Sequence, residues 1–289
     1  MISKGIILAG GTGSRLSPLT KSVNKQLLPV YDKPLIFYPL SVLMLADIKD
    51  VLIIVNAGQI NSFKKILGNG SSFGIKITYK EQKKPNGLPE AFKIGEKFIG
   101  KSNVALILGD NFFYGQSLSD LLVESKVFKE GSVIFLKSVK KPSSYGVAKI
   151  VNNKITQIVE KPKKFVSDQA ITGLYYFDNK VIKFTKQLKA SKRGETEITD
   201  LIKIYHKNNR LTYKEIGRGA VWSDAGKIED LTNVSNFVAS VEKMQSYKIG
   251  CLEEIALNKK WINKNIIKKN IKSYGQSNYS IYLQELLKI

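Results

Sequence analysis

Five short apolar runs rich in β-branched residues divide the first half of this 289-residue chain: Gly5–Ala9, Val51–Asn56, Ile75–Tyr79, Val104–Leu108 and Ser132–Leu136. A strand with one wet face alternates apolar and polar residues, so runs this continuous predict strands covered on both faces. Between them lie segments with helical spacing. Leu35–Ala46 is nearly all apolar and reads as a buried helix, while Asn61–Leu67, Leu88–Ile99 and Leu118–Phe128 are amphipathic. Pro39 lies inside the first of these and allows the helix to start there rather than at Leu35. Strand alternating with helix predicts an α/β fold with a Rossmann-like, doubly wound and mostly parallel sheet.

The second half is more mixed. Gly146–Val151 and Lys154–Val159 flank Asn152-Asn153 and read as a hairpin with a two-residue turn. Ala170–Phe177 and Leu211–Ile216 read as strands; Lys180–Leu188, Ile198–Lys207 and Ile228–Gln245 read as helices. From Cys251 onward the pattern is helical and lysine-rich, with Trp261, Ile262, Ile266 and Ile267 near one face, the pattern of a helix packed on its own domain or on a neighbouring subunit.

A net charge of +22 raises the question of nucleic-acid or anionic-membrane binding. Lysine is scattered along the whole length, however, and no RNP, zinc-finger or helix-turn-helix signature accompanies it. The positive field is expected to gather phosphorylated substrates rather than a specific nucleic acid. No run approaches the roughly 18 apolar residues of a membrane span, and no secretory leader is read. One cysteine and one histidine exclude an internal disulfide and make a structural zinc site untenable, so a cytoplasmic protein is expected.

The first apolar run ends in Gly10-Gly11-Thr12-Gly13, followed by Arg15 and a segment expected to be helical. Glycines open backbone conformations closed to other residues and let N–H groups approach an anion, and Arg15 adds a charged fork. No Lys-Ser/Thr pair follows, which excludes the Walker pattern, and Leu16 stands at the third glycine of a dinucleotide fingerprint. By itself this is a generic phosphate loop. Asp110 follows the run Val104–Leu108 directly, where a parallel strand delivers side chains to a crevice. Mg²⁺ needs only one or two carboxylates beside substrate phosphates, a role that suits Asp110.

Together with Lys25-Gln26-Leu27-Leu28-Pro29, Glu81-Gln82, Pro85-Asn86-Gly87-Leu88, Leu108-Gly109-Asp110-Asn111, Tyr145-Gly146-Val147, Glu160-Lys161-Pro162, Thr172-Gly173-Leu174-Tyr175, Arg193-Gly194-Glu195 and Trp222-Ser223-Asp224-Ala225-Gly226, the loop resembles the sugar-phosphate nucleotidyltransferases, most of all the long, thymidylyl-transferring branch. The resemblance implies dTTP and glucose 1-phosphate as substrates, dTDP-glucose and pyrophosphate as products, and Mg²⁺ held by Asp110 and Asp224. It implies nucleotide contacts from Gly10, Gly11, Thr12, Gly13, Arg15, Lys25, Gln26, Gln82, Gly87 and Asp110. Asn111, Tyr145, Gly146, Glu160, Lys161, Ile171, Gly173, Tyr175 and Arg193 are implied for the sugar phosphate, with Arg15, Lys25, Asp110 and Lys161 as the catalytic set. A phosphate monoester is mostly dianionic at neutral pH, its second pKa being about 6, so no protein base is needed. His206, flanked by lysines, reads as a surface residue.

The same resemblance divides the chain into a core, 1–238, and a helical segment, 239–289. Within the core, about 1–130 would bind nucleotide and about 131–238 sugar phosphate. It also implies a homotetramer built as a dimer of dimers and a regulatory nucleotide site that includes Tyr114, Gly115, Arg218, Cys251 and Glu254. The chain departs from the family pattern at Pro89-Glu90, where relatives read Ala-Gln, at Lys149, where they carry glutamate, and at Ser277-Asn278-Tyr279-Ser280, a short insertion. Base choice between dTTP and UTP rests on Gln82 and Gly87. A nucleotide-sensing relative without activity would be expected to lack Arg15, Lys25 or Asp110, and all are present.

Overall fold

Residues 6–9, 51–55, 104–107 and 132–136 are all buried, so those four apolar runs are indeed strands without a wet face; Ile75–Tyr79 is not, since it lies at the sheet edge with Lys76 exposed and Thr78 and Tyr79 half-buried. The structure, a computed structural model, describes residues 1–191 and 194–288. Its strands are β1 (Ile2–Ala9), β2 (Pro29–Val30), β3 (Lys33–Pro34), β4 (Asp50–Asn56), β5 (Lys76–Gln82), β6 (Asn103–Leu108), β7 (Asn111–Gly115), β8 (Ser132–Ser138), β9 (Gly146–Val151), β10 (Lys154–Glu160), β11 (Gln169–Phe177), β12 (Leu211–Glu215) and β13 (Ala220–Asp224).

The main sheet runs β10-β9-β11-β6-β1-β4-β5, with β8 joined to β11 and β12 joined to β8. β5, β4, β1 and β6 are parallel; β11 enters antiparallel to β6 and carries the second half of the sheet. Connections from β1 run outward to β4 and β5 and then return across β1 to β6. That reversal opens a crevice at the carboxyl ends of β1 and β6, where Gly10 and Asp110 lie.

Side chains alternate between two cores. Ile7, Ala9, Ile53 and Val55 pack on one face with the helix Phe37–Leu45. Ile6, Leu8, Leu52 and Ile54 pack on the other with the helices Glu90–Ile94 and Ile198–Lys207. The helices Leu252–Asn258, Lys264–Tyr274 and Asn278–Leu286 send Leu252, Ala256, Ile267 and Leu283 into the first core. The basic tail thus lies on its own sheet layer, with its lysines outward.

Three expectations change. Leu88–Ile99 is two short helices that break at Gly95, where a Cβ would come within 2.9 Å of Ile6 Cδ1; the close approach to the sheet admits no side chain. No α-helix follows the glycine loop. Short 3₁₀ turns at Ser14–Leu16, Leu19–Lys21 and Lys25–Leu27 take its place, because Pro18 cannot supply the N–H a continuing helix needs. A separate ribbon of β7 and β13 was not read at all, and it sets Asp224 opposite Asn111. The hairpin is as expected: Asn152 and Asn153 take φ of 50° and 59°, the left-handed pair of a type I′ turn.

Candidate active site

The glycine loop is shaped by side chains from its neighbours. Asn56, at the end of β4, accepts from Gly11 N–H at 2.9 Å and donates to Gly11 O at 2.8 Å. Thr20 Oγ1 donates to Gly13 O at 2.8 Å. Gly11 has φ of 99°, a conformation that a side chain would strain. With no helix behind the loop, an anion here meets its remaining N–H groups and Arg15. The guanidinium of Arg15 is exposed, makes no ion pair among the described residues, and lies beside Gly226 and Asp224, within 3.1 Å of where a Gly226 Cβ would stand.

Asp110 is the hub. Lys25 Nζ, largely buried, donates to its Oδ2 at 2.5 Å, and Asn111 Nδ2 donates to its Oδ1 at 3.0 Å. Asn111 is locked in turn: its Oδ1 accepts from Gly173 N–H at 3.0 Å and from the Trp222 indole at 2.6 Å. Burial opposes the Asp110 carboxylate, but the Lys25 ammonium and these hydrogen bonds outweigh it and hold its carboxyl below the usual range. Asp224 behaves oppositely. Burial and the field of Asp110 push its carboxyl up, against the hydrogen bond that Tyr145 donates at 3.0 Å. Two carboxylates that repel across one crevice are the donor set a hard divalent cation relieves. Among the described residues no group of three or more acidic, histidine or cysteine side chains could hold a metal, so a cation held by Asp110 and Asp224 would need further ligands from water or phosphate oxygens.

These groups open into a cavity of about 290 Å³ lined by Arg15, Asp110, Asn111, Tyr145, Gly146, Glu160, Lys161, Ile171, Gly173, Tyr175 and Asp224. Glu160 accepts from Thr199 Oγ1 at 3.2 Å, and the Lys161 ammonium lies 3.9 Å from Glu160. A Cβ on Gly173 would meet Asn111 Oδ1 at 2.5 Å, so the contact that fixes Asn111 requires glycine there. Arg193 lies outside the described residues.

Gln82 ends β5, 5% exposed, beside the loop; a Cβ on Gly10 would stand 2.6 Å from its Oε1. Gln26 is 3% exposed, and its Oε1 is buried without a hydrogen-bond partner among the described residues. Gly87, at φ of 110°, packs so closely on the 194–197 segment that a Cβ would fall 2.0 Å from Thr196 O. Thr196 N–H and Oγ1 both reach Asn86 O, at 2.9 and 3.0 Å. Sequence reasoning missed Asn56, Thr196 and Thr199. For Asn56 the signal existed, since it follows an apolar parallel strand just as Asp110 does.

A second cavity of about 300 Å³ lies on the far side of β7, and Tyr114, Gly115 and Cys251 line it with Lys248, Ile249 and Gly250. Arg218 and Glu254 are not in that lining; Arg218 is exposed, and Glu254 accepts from Tyr282 OH at 2.7 Å. His206 sits on a helix face beside an open surface groove, away from the chemistry.

A parallel sheet with a glycine loop at its switch point, an arginine free to meet phosphate and two acidic groups facing one cavity define a protein that handles nucleotide and phosphate. The nucleotidyl transferase family model matches residues 4–241, and the chain belongs to that family. Within it, the chain is similar to the glucose-1-phosphate thymidylyltransferase of Neisseria meningitidis serogroup A, with 48% identity over 99% of both chains. A Bacillus anthracis crystal structure holding sucrose superposes with a TM-score of 0.76 at 42% identity, over 81% of this chain and 94% of that one. A UDP-glucose pyrophosphorylase bound to UDP-glucose superposes with a TM-score of 0.73 at 25% identity, over 84% and 100%.

Proposed function

We propose that this nucleotidyltransferase moves a thymidylyl group from dTTP to glucose 1-phosphate, giving dTDP-glucose and pyrophosphate. The observation that carries the reading is the junction of the two half-sites: Asp110, between the glycine loop and the cavity of β9–β11, touches Lys25 on one side and Asn111 on the other. A phosphate oxygen of the sugar phosphate forms the new bond to the α-phosphorus of dTTP. The bond from that phosphorus to the bridging oxygen breaks, and pyrophosphate leaves with its electron pair. No protein proton is moved. Catalysis is then alignment of two polyanions and neutralisation of the charge between them.

Arg15, Lys25 and the Gly10–Gly13 loop are assigned to the triphosphate, and Gln26, Gln82 and Gly87 to the nucleoside. Glu160 is assigned to accept from sugar hydroxyls, Gly146 and Gly173 leave room for backbone contacts, and Tyr145, Ile171 and Tyr175 wall the pocket. Lys161, assigned with Arg193 to the sugar phosphate, has φ of 42° and donates its N–H to Tyr145 O at 3.0 Å, which ties its backbone to the cavity wall. Asp110 and Asp224 are assigned to Mg²⁺, which when bound supplies neutralisation of the reacting phosphates. Residues 1–130 thus serve mainly the nucleotide and 131–238 the sugar phosphate.

Two further readings belong to the same proposal. Segment 239–289 contributes to a homotetramer, and the cavity at Tyr114, Gly115 and Cys251 is the core of a regulatory nucleotide site. Binding of only one thymidine nucleotide per chain at saturation would remove the second of these. Among the described residues no helix is long and apolar enough to cross a membrane; the one cysteine is a free, buried thiol, which suits a reducing cytoplasm.

The direct test incubates the protein with Mg²⁺, glucose 1-phosphate and each nucleoside triphosphate in turn and follows pyrophosphate release. Release with dTTP is expected. Release with UTP far above dTTP would move the base assignment, toward which the UDP-glucose pyrophosphorylase likeness points, and no release with any triphosphate would end the catalytic reading. A second prediction concerns Gly87→Ala. A methyl group cannot occupy the space 2.0 Å from Thr196 O, so the two loops must part. KM should rise about tenfold or more for dTTP and for glucose 1-phosphate together, and a rise for one substrate alone would contradict the linkage.

A further inference from the structure

Gln82 does not stand alone at the end of β5. Its Nε2 donates to Glu90 Oε2 at 2.5 Å. Glu90 is itself held from the other side: Asn86 N–H reaches the same oxygen at 3.3 Å, and Asn86 Nδ2 reaches Oε1 at 3.0 Å. A carboxylate only accepts, so the side of Gln82 that faces it must be the NH₂. Its carbonyl oxygen is thereby turned toward Gly10, where only a missing Cβ leaves room for it. The two faces of a glutamine amide are nearly the same shape, and without such a partner the group can sit either way round.

That choice has chemical content. Thymine and uracil present an acceptor O4 beside a donor N3–H, whereas cytosine presents a donor N4–H beside an acceptor N3. One amide can pair with either edge, but only by reversing its own ends. We propose that Glu90 is a specificity-determining residue: by fixing which way round Gln82 presents its amide, it commits the site to the imide edge of thymine or uracil and against cytosine. Glu90 acts through Gln82 and is a positioning residue, and the proposal rests on the assignment of Gln82 to the base.

The test compares wild type, Glu90→Ala, Glu90→Gln, Gln82→Ala and the Gln82→Ala/Glu90→Ala double variant, measuring kcat/KM from pyrophosphate release with dTTP, UTP and dCTP. Glu90→Ala is expected to reduce the dTTP-to-dCTP ratio by about ten- to a hundredfold, while the dTTP-to-UTP ratio moves less than about twofold because those bases share the edge. A merely structural loss would lower all three substrates alike. Glu90→Gln, whose amide can itself reverse, should lose part of the discrimination. Adding Glu90→Ala to Gln82→Ala should change the ratio no further. An unchanged ratio in a folded Glu90→Ala protein, or in Glu90→Gln should the alanine variant not fold, overturns the proposal, as does a full additive effect in the double variant. Failure of the underlying assignment looks different: Gln82→Ala would then leave all three substrates as in wild type.

Discussion

An Asp110→Asn protein is expected to lose about a hundred- to a thousandfold in kcat while remaining folded. The substitution keeps the shape of the side chain and removes one negative charge. That charge meets the Lys25 ammonium at 2.5 Å, lies below the usual carboxylate range because of it, and pushes up the Asp224 carboxyl across the crevice. The amide has a single oxygen, so it can accept from Lys25 or from Asn111 but not from both, and its NH₂ then faces the other donor. What is lost is the anionic ligand proposed for a divalent cation and the field that orients Lys25, and removing such preorganised charge costs on the order of 10²–10³ for a single group. Pyrophosphate release at saturating substrates, with circular dichroism to confirm the fold, reads the effect. A rate within about tenfold of wild type would mean that the charge-bearing ligand is elsewhere. A rise in the Mg²⁺ concentration needed for half-maximal rate should accompany the loss.

The parallel half of the sheet was legible because burial on both faces leaves a continuous apolar run, and β1, β4 and β6 differ from their expected ranges only at their ends. The helices Ile198–Lys207 and Ile228–Gln245 were legible to the residue, since their apolar spacing is bounded by polar turns. The ribbon of β7 and β13 was not. Phe112 and Phe113 form only a short apolar stretch after the Gly109-Asp110 turn, and Ala220-Val221-Trp222 is too short to stand out; the two strands specify each other only once paired across more than a hundred residues. In the site, the strand-end rule reached Asp110 and motif resemblance reached the cavity wall, but neither could show that Trp222 and Gly173 converge on Asn111. The hydrogen-bond partners of a buried amide belong to tertiary structure, and no local pattern encodes them.

Charge was the least legible property, and it gives the largest expected change in stability. Lys33 and Lys248 read in the sequence as two among many surface cations. Lys33 is in fact 4% exposed, paired with Asp32 at 2.5 Å and with Glu242 of the helix Ile228–Gln245 at 3.1 Å. Lys248 pairs with the same Asp32 and, at 3.2 Å, with Glu242. Glu242, 8% exposed, also accepts from Ile249 N–H at 2.8 Å. Both ammonium groups lie over aromatic rings, Lys33 over Tyr38 and Lys248 over Tyr279 and Tyr282 of the last helix. Glu242→Ala leaves two cations around Asp32 alone, at a largely buried site where only Asp32 and Lys248 keep some contact with water, at 17% and 11% exposure. Breaking a buried pair in this way costs about 3–5 kcal/mol, so the melting temperature should fall by about 6 °C or more. Glu242→Gln, which can still accept from Ile249 N–H, should lose less. The consequence reaches the active site through the backbone. Lys33 opens β3, whose continuation returns to the Lys25–Leu28 segment through Leu35 N–H to Leu28 O at 3.0 Å and Ile36 N–H to Gln26 O at 2.8 Å. In Glu242→Ala, activity should therefore fall at temperatures below the melting transition, whereas a loss of stability under about 1 kcal/mol would show that Asp32 alone satisfies both lysines.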